Sequence, residues 1–211
     1  MSATQVHLYK RAYLLSIITI FYNILEGLVA TILGYKDNTL ALLGFGVDSF
    51  IEVVSGAGIA LMILRIWHNP DSSVSKYEIT ALKITGTAFY LLSGGLLAGI
   101  VINIFNQHKP ETTFWGIAIS LISIAVMMWL TVAKFSIGKK LNSDPIIADA
   151  NCSRVCVYMS LVLLISSVLY ELTGFIYADI LGAAGLIYLS ISEGKEAFEK
   201  SRNKNNSYCQ D

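Results

Sequence analysis

The sequence predicts an all-α membrane protein with six transmembrane helices and with both termini cytoplasmic. Of its 211 residues, 55% are apolar and only 14% are charged, and the mean hydropathy is +0.61. Soluble domains carry a charge at about a quarter of their positions, so this composition favours a chain that lies largely within a lipid bilayer. The formal net charge is zero and says nothing about partners. The expected partner is the lipid bilayer, and no nucleic acid is expected.

Six apolar segments have the length of about 20 helical residues that crosses a hydrocarbon core. They are residues 12–34, 40–67, 79–106, 113–134, 146–169 and 174–192. Turn-forming residues separate them at 34–38, 69–73, 106–111, 142–145 and 173–174. The expected organisation is a transmembrane domain over residues 1–192, followed by a short cytoplasmic tail over residues 193–211.

The distribution of lysine and arginine predicts the orientation. With the N-terminus inside, the cytoplasmic side carries eleven of these residues near the helix ends and the far side carries two. The eleven are Lys10, Arg11, Arg65, Lys76, Lys134, Lys139, Lys140, Lys195, Lys200, Arg202 and Lys204, and the two are Lys36 and Lys109. Because such residues concentrate on the cytoplasmic side, both termini are expected inside, most simply in the plasma membrane of a bacterium (its inner membrane).

Two carboxylates and two thiols lie deep within the apolar segments. Asp48 and Glu52 are four residues apart in the second segment, and Cys152 and Cys156 repeat this spacing in the fifth, with Asp149 on the same helical face. Ionisable groups at this depth are costly, so a function is their default explanation. From the rise per residue of a helix, we expect Asp48 at the same depth in the membrane as Cys156, and Glu52 at the same depth as Cys152. The side chains can form one cluster if the two helices are neighbours.

Carboxylates together with thiols form a donor set for a metal ion. A divalent ion loses most of its hydration on entering lipid, so anionic side chains must replace that water. Carboxylate oxygens and thiolate sulfurs in tetrahedral geometry favour Zn²⁺ first, then Cd²⁺ or Co²⁺, and disfavour Mn²⁺ and Mg²⁺. The predicted metal ligands are Asp48, Glu52, Asp149, Cys152 and Cys156. The metal is expected as a substrate, and no bound cofactor is expected.

Other interpretations of the same residues stay open. A single buried cysteine commonly packs as a small apolar residue, and only the pairing of two thiols with two acids favours ligands. Asp149 is as compatible with a structural role, through an ion pair with Arg154 or a backbone cap, as with metal binding. Asn23 and Glu26 share one face of the first helix, where structural hydrogen bonds are favoured over a proton relay.

Two stretches of the sequence resemble motifs of the cation diffusion facilitator family. Residues 41–55, with Asp48 and Glu52, resemble the family's second-helix motif, in which Asp or His is followed four residues later by Asp. Residues 143–156, above all those from Ala148 to Cys156, are similar to the family's fifth-helix pattern of Ala-Asp, then His, then Asp. Glu26-Gly27 in the first helix and Asp179 in the sixth also match, so the resemblance covers most of the chain.

The resemblance implies a proton-coupled exporter of divalent metals, commonly a homodimer, with its ion site between helices two and five. By position, Asp48 and Glu52 take the ligand places of the second helix, and Cys152 and Cys156 take those of the fifth. The chain departs from the family in having two cysteines for the His and the Asp, Glu52 for an Asp, and Phe45 where many members have Asp. It is also expected to be a short form without the family's cytoplasmic ferredoxin-like domain.

Competition between metal and protons is the expected mechanism. Metal binding displaces protons from its ligands, and protons that return on the acidic side expel the metal. We expect no enzyme, because Cys152 and Cys156 lack the Cys-x-x-Cys spacing of thiol oxidoreductases. The alternative function is a membrane metal sensor or a partner-binding subunit that keeps the site without moving ions.

Overall fold

The computed structural model describes residues 3–68, 76–106, 113–175 and 177–208. Within these ranges it contains six α-helices and no β-strand. The helices are α1 (Ala3–Lys36), α2 (Leu40–His68), α3 (Lys76–Asn106), α4 (Phe114–Leu141), α5 (Asp144–Thr173) and α6 (Ala178–Tyr208). They correspond in order to the six predicted segments. The predicted turn at 69–73 and residues 107–111 of the next turn lie outside the described residues.

The helices are apolar on the outside and carry polar groups inside. Phe105 and Leu172 are 82% and 80% exposed, whereas Asn23 and Ser160 are fully buried. Large apolar surfaces of this kind contact lipid or a partner. In the described part of the chain, five helices are long and apolar enough to cross a membrane, and α6 is not among them. The five spans are Gln5–Lys36, Leu40–Arg65, Leu82–Phe105, Phe114–Leu141 and Asp149–Thr173.

α4 and α6 extend well past the C-terminal ends of their predicted segments, and α1 begins at Ala3, nine residues before the start of its segment. α4 continues past residue 134 to Leu141, and Asn142 ends it with a left-handed φ of 47°. α6 continues past residue 192, through most of the predicted tail. Ion pairs of 3.9 Å and 2.7 Å connect successive turns of this extension and give it modest support. The positive residue at position 134 therefore lies inside a helix and not at its end.

Short turns form two pairs of antiparallel helices. α1 and α2 are joined by residues 37–39, where the N–H of Thr39 donates to the carbonyl of Gly34 at 2.9 Å. α4 and α5 are joined at Asn142 and Ser143, and the N–H of Ser143 donates to the carbonyl of Gly138 at 3.0 Å. The two pairs pack through α1 on α4 and α2 on α5, while α3 packs along α6. α2 and α5 are thus neighbours, as the predicted metal site requires.

Asp179, near the start of α6, holds the start of α2. Its carboxylate accepts hydrogen bonds from the backbone N–H groups of Leu40 at 2.8 Å and Ala41 at 3.0 Å. The first N–H groups of a helix have no partner within that helix, so an external acceptor satisfies them. Asp179 is buried, which shelters both bonds from water. The residue that matches the family in the sixth helix therefore has a structural role here.

Replacing Asp179 with alanine will lower the stability of the protein. The change removes two charge-assisted hydrogen bonds, each of which typically contributes about 1.5–3 kcal/mol, and leaves two N–H groups without an acceptor. Asp179→Asn is expected to cost less, because the amide oxygen still accepts one of the two bonds. Thermal unfolding in detergent measures both variants. Equal melting temperatures for Asp179→Ala and the wild type would contradict the capping role.

Candidate metal site

α2 and α5 meet at Glu52 and Cys156. The thiol of Cys156 donates a hydrogen bond to Oε1 of Glu52, and Cys156 is buried. Oε2 of Glu52 accepts a second bond, from Nδ2 of Asn23 on α1, at 2.8 Å. Three helices therefore position a single carboxylate in direct contact with a thiol. Oxygen and sulfur are both donors that Zn²⁺ accepts.

A cavity of about 30 Å³ lies beside this contact, between α1, α2 and α5. Its walls consist of Thr19, Asn23, Glu52, Gly56, Asp149, Cys152 and Ser153. A space of this size holds one or two water-sized particles, which is the scale of a single ion. Glu52 shares the cavity with Cys152 and also contacts Cys156. The sequence predicts Glu52 at the membrane depth of Cys152 alone. In the structure its long side chain contacts Cys156 and also shares the cavity with Cys152.

Asp48 is fully enclosed one turn away from Glu52. It is 3% exposed, and its Oδ1 accepts no hydrogen bond from the described residues. A buried carboxylate oxygen without a donor is costly, and a proton or a metal ion would satisfy it. Among the described residues, no three His, Cys, Asp or Glu side chains converge closely enough to hold a metal ion. The full cluster of predicted ligands stays a prediction.

Asp149 is held by the protein through both of its oxygens. Oδ1 forms an ion pair of 2.9 Å with Nζ of Lys134, and Oδ2 accepts a bond of 3.0 Å from the hydroxyl of Ser16. The ion pair predicted as one possibility, with Arg154, is wrong, since Arg154 is exposed and Lys134 is the partner. Of the two roles left open for Asp149, this arrangement supports the structural one.

Glu26 lies at the centre of a second group of hydrogen bonds. Its oxygens accept from the hydroxyl of Tyr22 at 2.8 Å and from that of Ser49 at 3.1 Å. Ser123 on α4 is also hydrogen-bonded to Glu26 and accepts from Ser160 on α5 at 2.9 Å. The group connects α1, α2, α4 and α5. These contacts agree with the structural role that the sequence favours for Glu26.

Glu193 brings one more carboxylate from α6. It lies just past the apolar part of that helix and is close enough to Asp48 and Cys152 to interact electrostatically with both. Burial, and secondarily the nearby Glu196, raise the pKa of Glu193 to about 7. The predicted ligand set contains no residue of α6, so Glu193 is an acid near the site that the ligand prediction missed.

All of these residues lie within a region that matches a known family. The model of the cation efflux transmembrane domain matches residues 14–203, which is most of the chain. The chain belongs to the cation efflux family. It is 28% identical over 188 residues to an uncharacterized transporter of Methanocaldococcus jannaschii, a match that covers 87% of this chain and 65% of the relative.

A second relative of this cation efflux protein is transmembrane protein 163 of Xenopus laevis. The two are 24% identical over 163 residues, which cover 77% of this chain and 57% of the relative. The chain thus spans less than two thirds of the length of each of these curated relatives. Its family and its membrane-spanning helices together make it an integral membrane protein.

The sequence of this cation efflux protein indicated the acids and thiols but not the groups that hold them. Ser16, Ser49, Ser123 and Ser160 are buried hydroxyl residues within apolar helices, and their only signal in the sequence is a polar residue in an apolar stretch. The sequence places Lys134 at the membrane edge, because the fourth apolar segment ends there. The structure instead buries this lysine inside the bundle, where it contacts α5.

Proposed function

We propose that the protein exports a divalent transition-metal ion from the cytoplasm in exchange for protons. The ion is Zn²⁺ first, then Cd²⁺ or Co²⁺, and its path crosses a site between α2 and α5. The observation that carries this proposal is the part-buried contact between the Glu52 carboxylate and the Cys156 thiol, next to an ion-sized cavity. A transition metal of borderline softness is the ligand that mixed oxygen and sulfur donors favour.

Asp48 and Cys152 are the donors that complete this site. Asp48 brings a buried oxygen without a hydrogen-bond partner among the described residues, and Cys152 lines the cavity. If these side chains turn toward Glu52 and Cys156, they give two oxygens and two sulfurs, the number of donors that tetrahedral Zn²⁺ takes. An incomplete cluster that closes around its cargo suits a transporter, because the ion must also leave.

Proton exchange follows from the chemistry of the ligands. A thiol binds metal as thiolate and a carboxyl group binds it as carboxylate, so metal entry releases any protons that these groups hold. The thiol of Cys156 carries such a proton where it donates to Glu52. When protons return from the acidic side, they compete with the metal for the same atoms. This competition couples the two fluxes.

The proposal includes the arrangement in the membrane. α6 would be the sixth span, although its apolar part of 15 residues, Ala178 to Ser192, reaches only about 22 Å. Both termini would be cytoplasmic, with ten lysines and arginines against two on the far side once the buried Lys134 is removed from the eleven. We place the protein, as a homodimer, in a plasma membrane such as the bacterial inner membrane.

Transport into vesicles tests this function. The purified protein is reconstituted with a metal-sensitive dye and a pH dye inside, and Zn²⁺, Cd²⁺, Co²⁺, Fe²⁺ and Mn²⁺ are added in turn, with and without a pH gradient. The expected result is entry of Zn²⁺ or Cd²⁺ with matching exit of protons. Saturable binding without flux under any gradient would refute transport and favour the alternative of a metal sensor or partner-binding subunit.

A further inference from the structure

Lys134 is a fully buried cation next to the proposed metal cavity. It is 1% exposed, on the face of α4 that packs against α5. Its Nζ donates to Oδ1 of Asp149 at 2.9 Å and to the hydroxyl of Ser153 at 3.0 Å. Asp149 and Ser153 are both wall residues of the cavity. A buried ammonium group is costly unless it is paired, so this arrangement calls for an explanation.

The walls of the cavity hold far more oxygen than sulfur. Asn23, Asp149, Ser153, Thr19 and Glu52 offer oxygens, and Cys152 offers the one thiol that lines the space. Oxygen-rich sites suit hard ions such as Mn²⁺ and Mg²⁺, whereas thiolates select softer ones. With all its oxygens available, this cavity would not favour a soft metal. The hydrogen bonds that Lys134 donates occupy one oxygen of Asp149 and the hydroxyl oxygen of Ser153, so these two donors are not available to the metal.

We propose that Lys134 is a specificity-determining residue that holds the oxygens of Asp149 and Ser153 away from the cargo. The inference rests on the proposed function, since it concerns the metal of that same site. Because Lys134 neutralises the charge of Asp149, the charged donors that remain for the ion are Asp48, Glu52, Cys152 and Cys156. Lys134 donates no hydrogen bond to any of these four, although its charge also interacts with Glu52, and its direct contacts are with Asp149 and Ser153.

Loss of the Lys134 charge is expected to turn Asp149 into an additional ligand. Asp149 would keep the bond from Ser16, which leaves its other oxygen facing the cavity. A third carboxylate makes the donor set harder, so affinity for Mn²⁺ rises relative to Cd²⁺. Removal of Asp149 alone has a different effect. It leaves an unpaired ammonium beside the cavity, which weakens binding of both ions alike.

Equilibrium binding of Mn²⁺ and Cd²⁺ to the full-length protein in detergent tests this inference. Changes beside a metal ligand typically alter affinity by 10–100-fold, so Lys134→Met is expected to shift the Mn²⁺ to Cd²⁺ affinity ratio by about tenfold or more toward Mn²⁺. Lys134→Met combined with Asp149→Leu should restore the wild-type ratio, because the additional carboxylate is gone. Lys140→Met, an exposed position on the same helix, is the matched control.

Asp149→Asn gives a second test, which does not depend on the folding of Lys134→Met. The inference predicts weaker binding of both ions at an unchanged ratio. A loss of Mn²⁺ affinity alone would show that Asp149 already ligates the cargo and would overturn the inference. An unchanged Mn²⁺ to Cd²⁺ affinity ratio in folded Lys134→Met would also overturn the inference. If the wild type binds Cd²⁺ in the same experiment, the proposed function still stands. A wild-type protein that binds none of these ions would refute the proposed function itself.

Discussion

Glu52→Gln will abolish metal transport. Glutamine has nearly the same shape as glutamate and can still accept a bond from Asn23, so the packing around position 52 is retained. The change removes the group that can bind a metal ion as a carboxylate at the point where α1, α2 and α5 meet. Loss of a charged ligand should exceed the 10–100-fold cost of changes beside a ligand, so we expect a decrease in flux of more than about 100-fold.

The vesicle assay with Zn²⁺ or Cd²⁺ measures this effect, together with the proton signal. Glu199→Gln is the matched control, because Glu199 is exposed on α6 and pairs with Lys195 over 3.9 Å. Exposed pairs of this kind contribute little to stability, so the control should transport like the wild type. Wild-type flux in Glu52→Gln would remove Glu52 from the site. A parallel loss in both variants would point to a general effect of the altered charge.

Gly46→Ala will destabilise the contact between α1 and α2. A Cβ atom at Gly46 would lie 2.5 Å from the backbone nitrogen and the hydroxyl of Thr31 on α1. Because the backbone of a packed helix has little freedom to move, the two helices would have to separate. Overpacking of this kind typically lowers the free energy of unfolding by about 1–3 kcal/mol. Because the added Cβ would overlap with backbone, we expect the cost of Gly46→Ala at the upper end of this range.

Gly95→Ala is the matched control for this change. A Cβ at Gly95 on α3 meets no atom within 4 Å, and alanine is favoured over glycine in a helix by about 1 kcal/mol. The same chemical substitution should therefore have opposite effects at the two positions: a lower melting temperature for Gly46→Ala and an equal or higher one for Gly95→Ala. Equal shifts at both positions would show that close packing at Gly46 does not limit stability.

Much of the fold follows from the order of residues along the chain. Apolar segments of sufficient length specify helices in lipid, because every backbone N–H and C=O group must be satisfied within the segment. The family follows as well, since its motifs are local patterns around Asp48 and Cys152, and the match over residues 14–203 confirms it. The ends of α4 and α6 were harder to predict, because a helix continues past its apolar part wherever no residue breaks it.

The candidate site shows where local patterns stop being informative. Spacing along a helix placed Asp48 and Glu52 on one face of α2, and placed the two thiols on one face of α5. It gave no information about side-chain reach across the interface, so Glu52 was assigned the level of Cys152 alone. Helical spacing also could not predict the partner of Asp149, because Lys134 lies 15 residues away in the sequence and on another helix.

The sequence by itself determined that this protein is helical, lies in a membrane, belongs to the cation efflux family and carries acids and thiols in its second and fifth helices. Those properties depend on composition and on contacts within one helix. The tertiary structure alone decided that Cys156 contacts Glu52, that Asn23 supports the same carboxylate, and that Lys134 pairs with Asp149. The physical reason is that each of these bonds joins different helices, and its geometry depends on how those helices pack.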